Sequence, residues 1–187
     1  MIPHEIRLEA IREAKIFLGC EVVEDPPHSN SGFFIDQIIQ RFGGKPGWSW
    51  CMYLMQECFY LAYKTYLPFY NIESPLCIRD ADGNIDLSAP NGHCYSIWHH
   101  AIAEPELGII QALDIMNGVH IPEGSVYVRY NADHTGHTGI VISHWQDDNN
   151  HDRDIIRTIE GNASDAVTPV KYTLAKLMGK NLKGVIC

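Results

Sequence analysis

Gly47-Trp48-Ser49-Trp50-Cys51-Met52-Tyr53-Leu54-Met55-Gln56 sets a cysteine where a glycine-containing loop passes into an apolar segment of helical period. The first N–H groups of a helix lack intrahelical partners, and the helix dipole is positive at that end. A thiol placed there gives up its proton more readily than a free cysteine, whose pKa is about 8.5. The same N–H groups can hold an oxyanion. Cys51 is therefore the candidate nucleophile, with Trp48 and Trp50 beside it as candidate substrate contacts.

A nucleophilic cysteine needs a base, and the base needs a group to orient it. The stretch Asp133-His134-Thr135-Gly136-His137-Thr138-Gly139-Ile140-Val141-Ile142-Ser143 puts a glycine-flanked His137 at the head of a β-branched run. Ile155-Ile156-Arg157-Thr158-Ile159-Glu160-Gly161-Asn162 is a second such run, closing on a carboxylate, a glycine and an amide. His134, earlier in the same loop, and His144, further along the strand, compete with His137, and strand alternation separates them only in part. Glu160 also reads as a solvent-facing carboxylate, and Asn162 as a turn former.

Taken together, these segments resemble the CHAP family of cysteine amidohydrolases and peptidases, relatives of the NlpC/P60 group with a papain-like arrangement. The resemblance covers most of the chain: an amino-terminal helix, the approach from Glu21 through Asn30-Ser31-Gly32, the Trp-Cys helix start, the Gly-His strand and the Ile-Glu-Gly-Asn strand end. The residues run in the family's order, cysteine, histidine, then orienting residue. His137 matches the family's Gly-His-x-Gly pattern, leaving His134 as a loop residue or a substrate-rim contact. The resemblance implies Cys51 as nucleophile, His137 as base, Glu160 as orienting residue and Asn162 in support.

It implies an α+β, papain-like fold, with amino-terminal helices packed on a mostly antiparallel β-sheet. It also implies a cofactor-free hydrolase of peptidoglycan, either an N-acetylmuramoyl-L-alanine amidase or an endopeptidase of the stem peptide or cross-bridge. A non-catalytic peptide-binding or wall-binding module on the same fold is the alternative, as is a thiol acyltransferase. Met52-Tyr53-Leu54 departs from the small residues that commonly follow the family's cysteine, which bears on the shape of the cleft more than on its chemistry.

A chain of 187 residues, 45% hydrophobic and 20% charged, suits one domain, 1–187, with one sizeable core. Fourteen basic against 23 acidic residues give a formal charge of -9, with no basic stripe to neutralise a phosphate backbone. Nucleic acid and anionic membranes are poor partners; a peptide or peptidoglycan substrate is the expected one. Met1-Ile2-Pro3-His4-Glu5-Ile6-Arg7 lacks the features of a secretory signal. This predicts a cytoplasmic protein as synthesised, reaching a wall by a non-classical route, by lysis or through a secretion machine. Delivery as a toxin would call for an immunity or inhibitor protein.

The six cysteines are scattered, without a C-x-x-C pair, and read as reduced thiols. Cys58 reads as a core residue of the Cys51 helix, and none but Cys51 is assigned a glycine-loop-to-helix context. Ten histidines invite a metal, yet none has the spacing of H-E-x-x-H. Asp80 to Asp86 fails the calcium-loop pattern and reads as a hairpin turn.

Helical periodicity predicts helices over about 3–19, from Asn30 or Ser31 as cap to Phe42 with Phe34 in its buried stripe, and 49–66. Residues 67–121 carry many turn signals and read as an insertion, with a short helix late in it that Pro105 interrupts. Strands are predicted at 125–130, 139–145, 154–160 and 184–187, with a short pairing around 170–172.

Overall fold

The computed structural model describes residues 1–66, 74–104 and 106–187. Helices come first: α1 (His4–Gly19), α2 (Phe33–Arg41), α3 (Cys51–Tyr66) and α4 (Cys94–Ala103). Then follow β1 (Ile109–Gln111), α5 (Ala112–Met116), β2 (Val126–Tyr130), β3 (Gly136–Trp145), β4 (Ile155–Ala163), β5 (Ala166–Thr173), α6 (Leu174–Met178) and β6 (Leu182–Ile186). A 3-10 turn at His151–Arg153 joins β3 to β4. Among the described residues the strands form one antiparallel sheet of order β1-β6-β2-β3-β4-β5. The molecule is thus α+β, with helices against an antiparallel sheet. No described helix is long and apolar enough to cross a membrane.

The sheet separates two apolar clusters. The larger joins α1, α2, α3 and α4 to Val126, Val128, Ile140 and Ile159; the smaller gathers Tyr127, Val141, Ile156, Tyr172, Leu174 and Leu177. Alternate residues of β2 thus serve opposite sides, as the two-residue period of a strand dictates. Helix α3 is the centre of the larger cluster. Every residue from Cys51 to Phe59 is buried, so the one-sided stripe expected of this helix is really a fully enclosed first half.

Two polar residues inside α3 find partners for part of their polar groups, while Gln56 Oε1 stays without a hydrogen bond among the described residues. Glu57 pairs with Arg41 of α2 at 2.8 Å. The Gln56 amide donates to the carbonyls of Leu76 (3.0 Å) and Asn91 (2.9 Å). Asn91 is itself fully buried, accepting from the Ile78 N–H at 2.8 Å and donating to the Asp86 carbonyl at 2.9 Å. Through this pair of amides, the segment read from sequence as an excursion is fastened to the central helix. It delivers α4, whose Ile97, Trp98 and Ala101 enter the main core. The turn at 80–86 closes with an Arg79–Ile85 bridge.

Several expectations are corrected. Ser31 and Asn30 do not cap α2: the N-cap is Gly32, and the Ser31 hydroxyl donates to the Asp36 carboxylate at 2.8 Å. Phe34 lies at the edge of the buried stripe formed by Ile35, Ile38, Ile39 and Phe42, and is 51% exposed. Ile109 and Ile110, which fall in the stretch after Pro105 expected to be helical, instead form β1 against Ile186 and Val185. Strand β5 runs far beyond the short pairing expected, along most of β4. The turn expected at Pro68 and the break expected at Pro105 lie outside the described residues.

Candidate active site

Cys51 is the first residue of α3, and the Leu54 N–H bonds to the Trp50 carbonyl at 3.0 Å, which closes the first turn. The loop before it is tied down from two directions. Glu24 accepts from the indole N–H of Trp50 (2.9 Å) and from the Asn30 N–H (2.9 Å). The side-chain amide of Asn162, at the end of β4, donates to Asn30 Oδ1 at 2.6 Å. This network assigns roles that sequence reasoning misplaced. Trp50 is fully buried, so it anchors the helix start rather than contacting substrate. Asn162 adopts a left-handed backbone, φ 57°, and braces the loop, with no hydrogen bond to His137 among the described residues.

His137 lies in the first turn of the pleat of β3, and its Nε2 meets Glu160 Oε2 of β4 at 2.8 Å. The other ring nitrogen, Nδ1, is left for Cys51, whose ionisation is linked to that of the imidazole. The sequence motif around His137 now has a steric reason. A Cβ on Gly139 would fall 2.6 Å from Glu160 Cγ and 3.0 Å from Tyr127 Cε1, and one on Gly136 would fall 2.7 Å from Cys94 Cβ. Real Cβ atoms do not approach so closely. Glycine on both sides of the histidine lets the strand press against its partners.

Glu160 is 1% exposed, and an ionised carboxylate at that depth requires donors. It has three: the imidazole, the Thr158 hydroxyl at 2.6 Å and the Tyr172 hydroxyl at 3.2 Å. Burial favours its neutral form, but the His137 and Thr158 bonds outweigh this and hold the carboxyl below its ordinary range. Tyr127 lies beside it, its buried hydroxyl without a hydrogen bond of normal geometry, and burial together with the carboxylate charge pushes that phenol well up.

The electrostatics define a thiolate–imidazolium pair. Cys51 is held well below the ordinary thiol value by hydrogen bonds from Cys94 and His137 against the cost of burial, with the Met52 N–H adding to them. Burial alone would depress His137, yet its bonds to Cys51 and Glu160 and their charges raise it to about 9. Cys58, seven residues along the same helix, lacks such partners, and burial drives it well above the ordinary value.

These shifts predict the pH dependence of any reaction at this site. The thiolate must be present, so activity rises as pH passes upward through the depressed Cys51 value. The imidazolium must also be present, so activity falls as pH passes upward through about 9. Measured as kcat/KM against pH, the expected profile has a plateau through neutrality and an alkaline limb near 9; a profile still rising at that pH would contradict the pair.

A cavity of about 570 Å³ opens over the cysteine, lined by Trp48, Ser49, Cys51, Tyr53, Gly92, His93, Cys94, Asp133, His134, Thr135 and Gly136. Trp48, 42% exposed, forms part of one wall. His134 lines the cavity too, stacked on Tyr95 with ring centroids 3.9 Å apart. His144, the remaining rival base, accepts the Ile121 N–H and meets Asp154, away from Cys51. No group of three or more described His, Cys, Asp or Glu side chains is arranged to hold a metal ion.

Cys94 is the residue that sequence reasoning missed. Pro90-Asn91-Gly92-His93 leads into it as Gly47 to Trp50 leads into Cys51, so the signal was the same loop-to-helix passage. Tyr172 carried no such signal, because only the β4-β5 pairing brings it to the carboxylate, whereas Thr158 lies two residues before Glu160 on the same strand and so shares its face. A scan against protein-family models, a search of curated proteins and a search of solved structures each find no match for this chain.

Proposed function

We propose that the protein is a cysteine-dependent amide hydrolase of the CHAP, papain-like kind, acting on peptidoglycan or a related peptide. The observation that carries this reading is the continuous line from the Cys51 thiol through the His137 ring to the buried Glu160 carboxylate, opening on a cavity. The peptidoglycan substrate rests on the resemblance of the three motifs. The cavity is of the size that holds a short peptide or sugar-peptide segment.

In this mechanism the Cys51 thiolate attacks the amide carbonyl carbon, forming the C–S bond. The negative charge moves to the carbonyl oxygen, where the Cys51 N–H and a neighbouring donor receive it. Each such donor is worth about 10²–10³ in rate in other acyl-transfer enzymes. The imidazolium of His137 passes its proton to the departing nitrogen as the C–N bond breaks. Water then adds to the thioester, His137 takes its proton, and the thiolate leaves. Glu160 keeps Nδ1 turned towards sulfur and offsets the ring's charge.

The test is incubation with purified peptidoglycan from several wall types and mass spectrometry of what is released. New amines or free stem peptides are expected, abolished by prior iodoacetamide treatment and unaffected by a chelator. Release that survives iodoacetamide, or no release from any wall, would remove the proposal.

A further inference from the structure

Helix α4 begins as α3 does, and at the same place. Its first residue, Cys94, is 4% exposed and lines the cavity together with Cys51. The two thiols stand at the first residues of their helices on the wall of one cavity, and each bears on the other's ionisation. Their proximity is built in rather than incidental. The start of α4 is pressed against Gly136, the residue before His137, where a Cβ would lie 2.7 Å from Cys94 Cβ. The turn before α4 is held by Gln56, which reaches from α3 to the Asn91 carbonyl at 2.9 Å. The helix that carries Cys51 therefore also fixes the approach to Cys94.

Two neighbouring buried thiols cannot both ionise, so one keeps its proton and donates it. The surroundings decide which. Cys51 has the His137 ring and the Met52 N–H; Cys94 has only its own helix start and the more distant charge of Arg129. The proton belongs on Cys94. We propose that Cys94 is a positioning residue of the active site, whose S–H donates to the Cys51 sulfur and holds it as a thiolate facing His137.

Cys58 shows what the donor replaces. On the same helix and as deeply buried, but without an imidazole or a neighbouring thiol, it stays a thiol. A buried anion needs more than one partner, and His137 divides its two nitrogens between sulfur and Glu160. Cys94 supplies a further bond to the sulfur. It takes no part in proton transfer to substrate.

This inference rests on Cys51 being the nucleophile, and the experiment separates the two. The rate of carbamidomethylation of Cys51 is followed against pH by peptide mass spectrometry in wild type, Cys94→Ala and Cys94→Ser. Exposed Cys20 serves as internal reference. Losing a hydrogen bond to a charged group is expected to raise the Cys51 midpoint by about one pH unit in Cys94→Ala, a roughly tenfold loss of thiolate below it. Cys94→Ser keeps a donor and should return the midpoint to the wild-type position. A merely structural residue would change thermal stability and leave the midpoint alone.

A folded Cys94→Ala with the wild-type midpoint overturns the role of Cys94 while leaving the nucleophile in place. A wild-type Cys51 that titrates as an ordinary thiol removes both. Should Cys94→Ala not fold, Cys94→Val fills the volume without a donor and carries the same expectation.

Discussion

Cys51→Ala is expected to abolish amide hydrolysis, by a factor on the order of 10⁵ or more, since Cys94, the other thiol lining the cavity, lacks the interaction with His137 that makes Cys51 a nucleophile. Cys51→Ser should be nearly as inactive. An alcohol is far less acidic than a thiol, and burial would raise its pKa further, so the anion that pairs with His137 would not form. The alanine variant carries a second signature, independent of substrate. His137 owes part of its elevation to about 9 to the sulfur, both as hydrogen-bond partner and as charge. Without it, burial weighs more heavily and the ring should titrate at a lower pH, read from its nitrogen and carbon shifts by NMR. Both variants should fold, because the residue is small and α3 keeps its other contacts. Hydrolysis retained by the alanine variant, or a His137 titration unmoved by it, would sink the assignment.

The parts of this site that local chemistry governs were legible in the sequence. A glycine loop before an apolar helical run marks a helix start, and glycines beside His137 mark a close approach, which singles out Cys51 and His137. Glu160 stands out as the carboxylate closing a β-branched run. The errors have one physical origin, which is that packing decides between residues of similar local pattern. Trp48 and Trp50 are two residues apart and look alike, yet one is 42% exposed and the other fully buried because Glu24, distant in sequence, claims its N–H. Asn162, by its place two residues after Glu160, reads as support for the base, but the left-handed turn in which it sits aims its amide at Asn30. The segment from 74 to 104 carries strong turn signals, and nothing local says that Gln56 and Asn91 fasten it to α3. That contact brings Cys94 into the site, although its own loop-to-helix passage was there to be read.

Glu160→Gln should lower kcat/KM by about 10²–10⁴ while leaving the fold intact, as loss of the orienting carboxylate does in triads of this kind. The amide has the same shape and can still accept the His137 N–H through its oxygen. Its NH₂ group can be received by the Thr158 or Tyr172 hydroxyl, each of which can accept as well as donate. What disappears is the charge. His137 is lifted to about 9 partly by that carboxylate, so its removal lowers the ring's affinity for a proton. The alkaline limb of the rate profile should therefore move to lower pH, and the thiolate, no longer facing a full imidazolium, should form less readily. Glu160→Ala makes the complementary comparison. It orphans three buried donors and opens a void, and breaking a buried pair in this way costs about 3–5 kcal/mol, visible as a lowered Tm. A glutamine variant with the wild-type rate and an unmoved alkaline limb would show that the carboxylate is only a structural brace. A slow glutamine variant with the wild-type Tm and a shifted limb would place the charge itself in the mechanism.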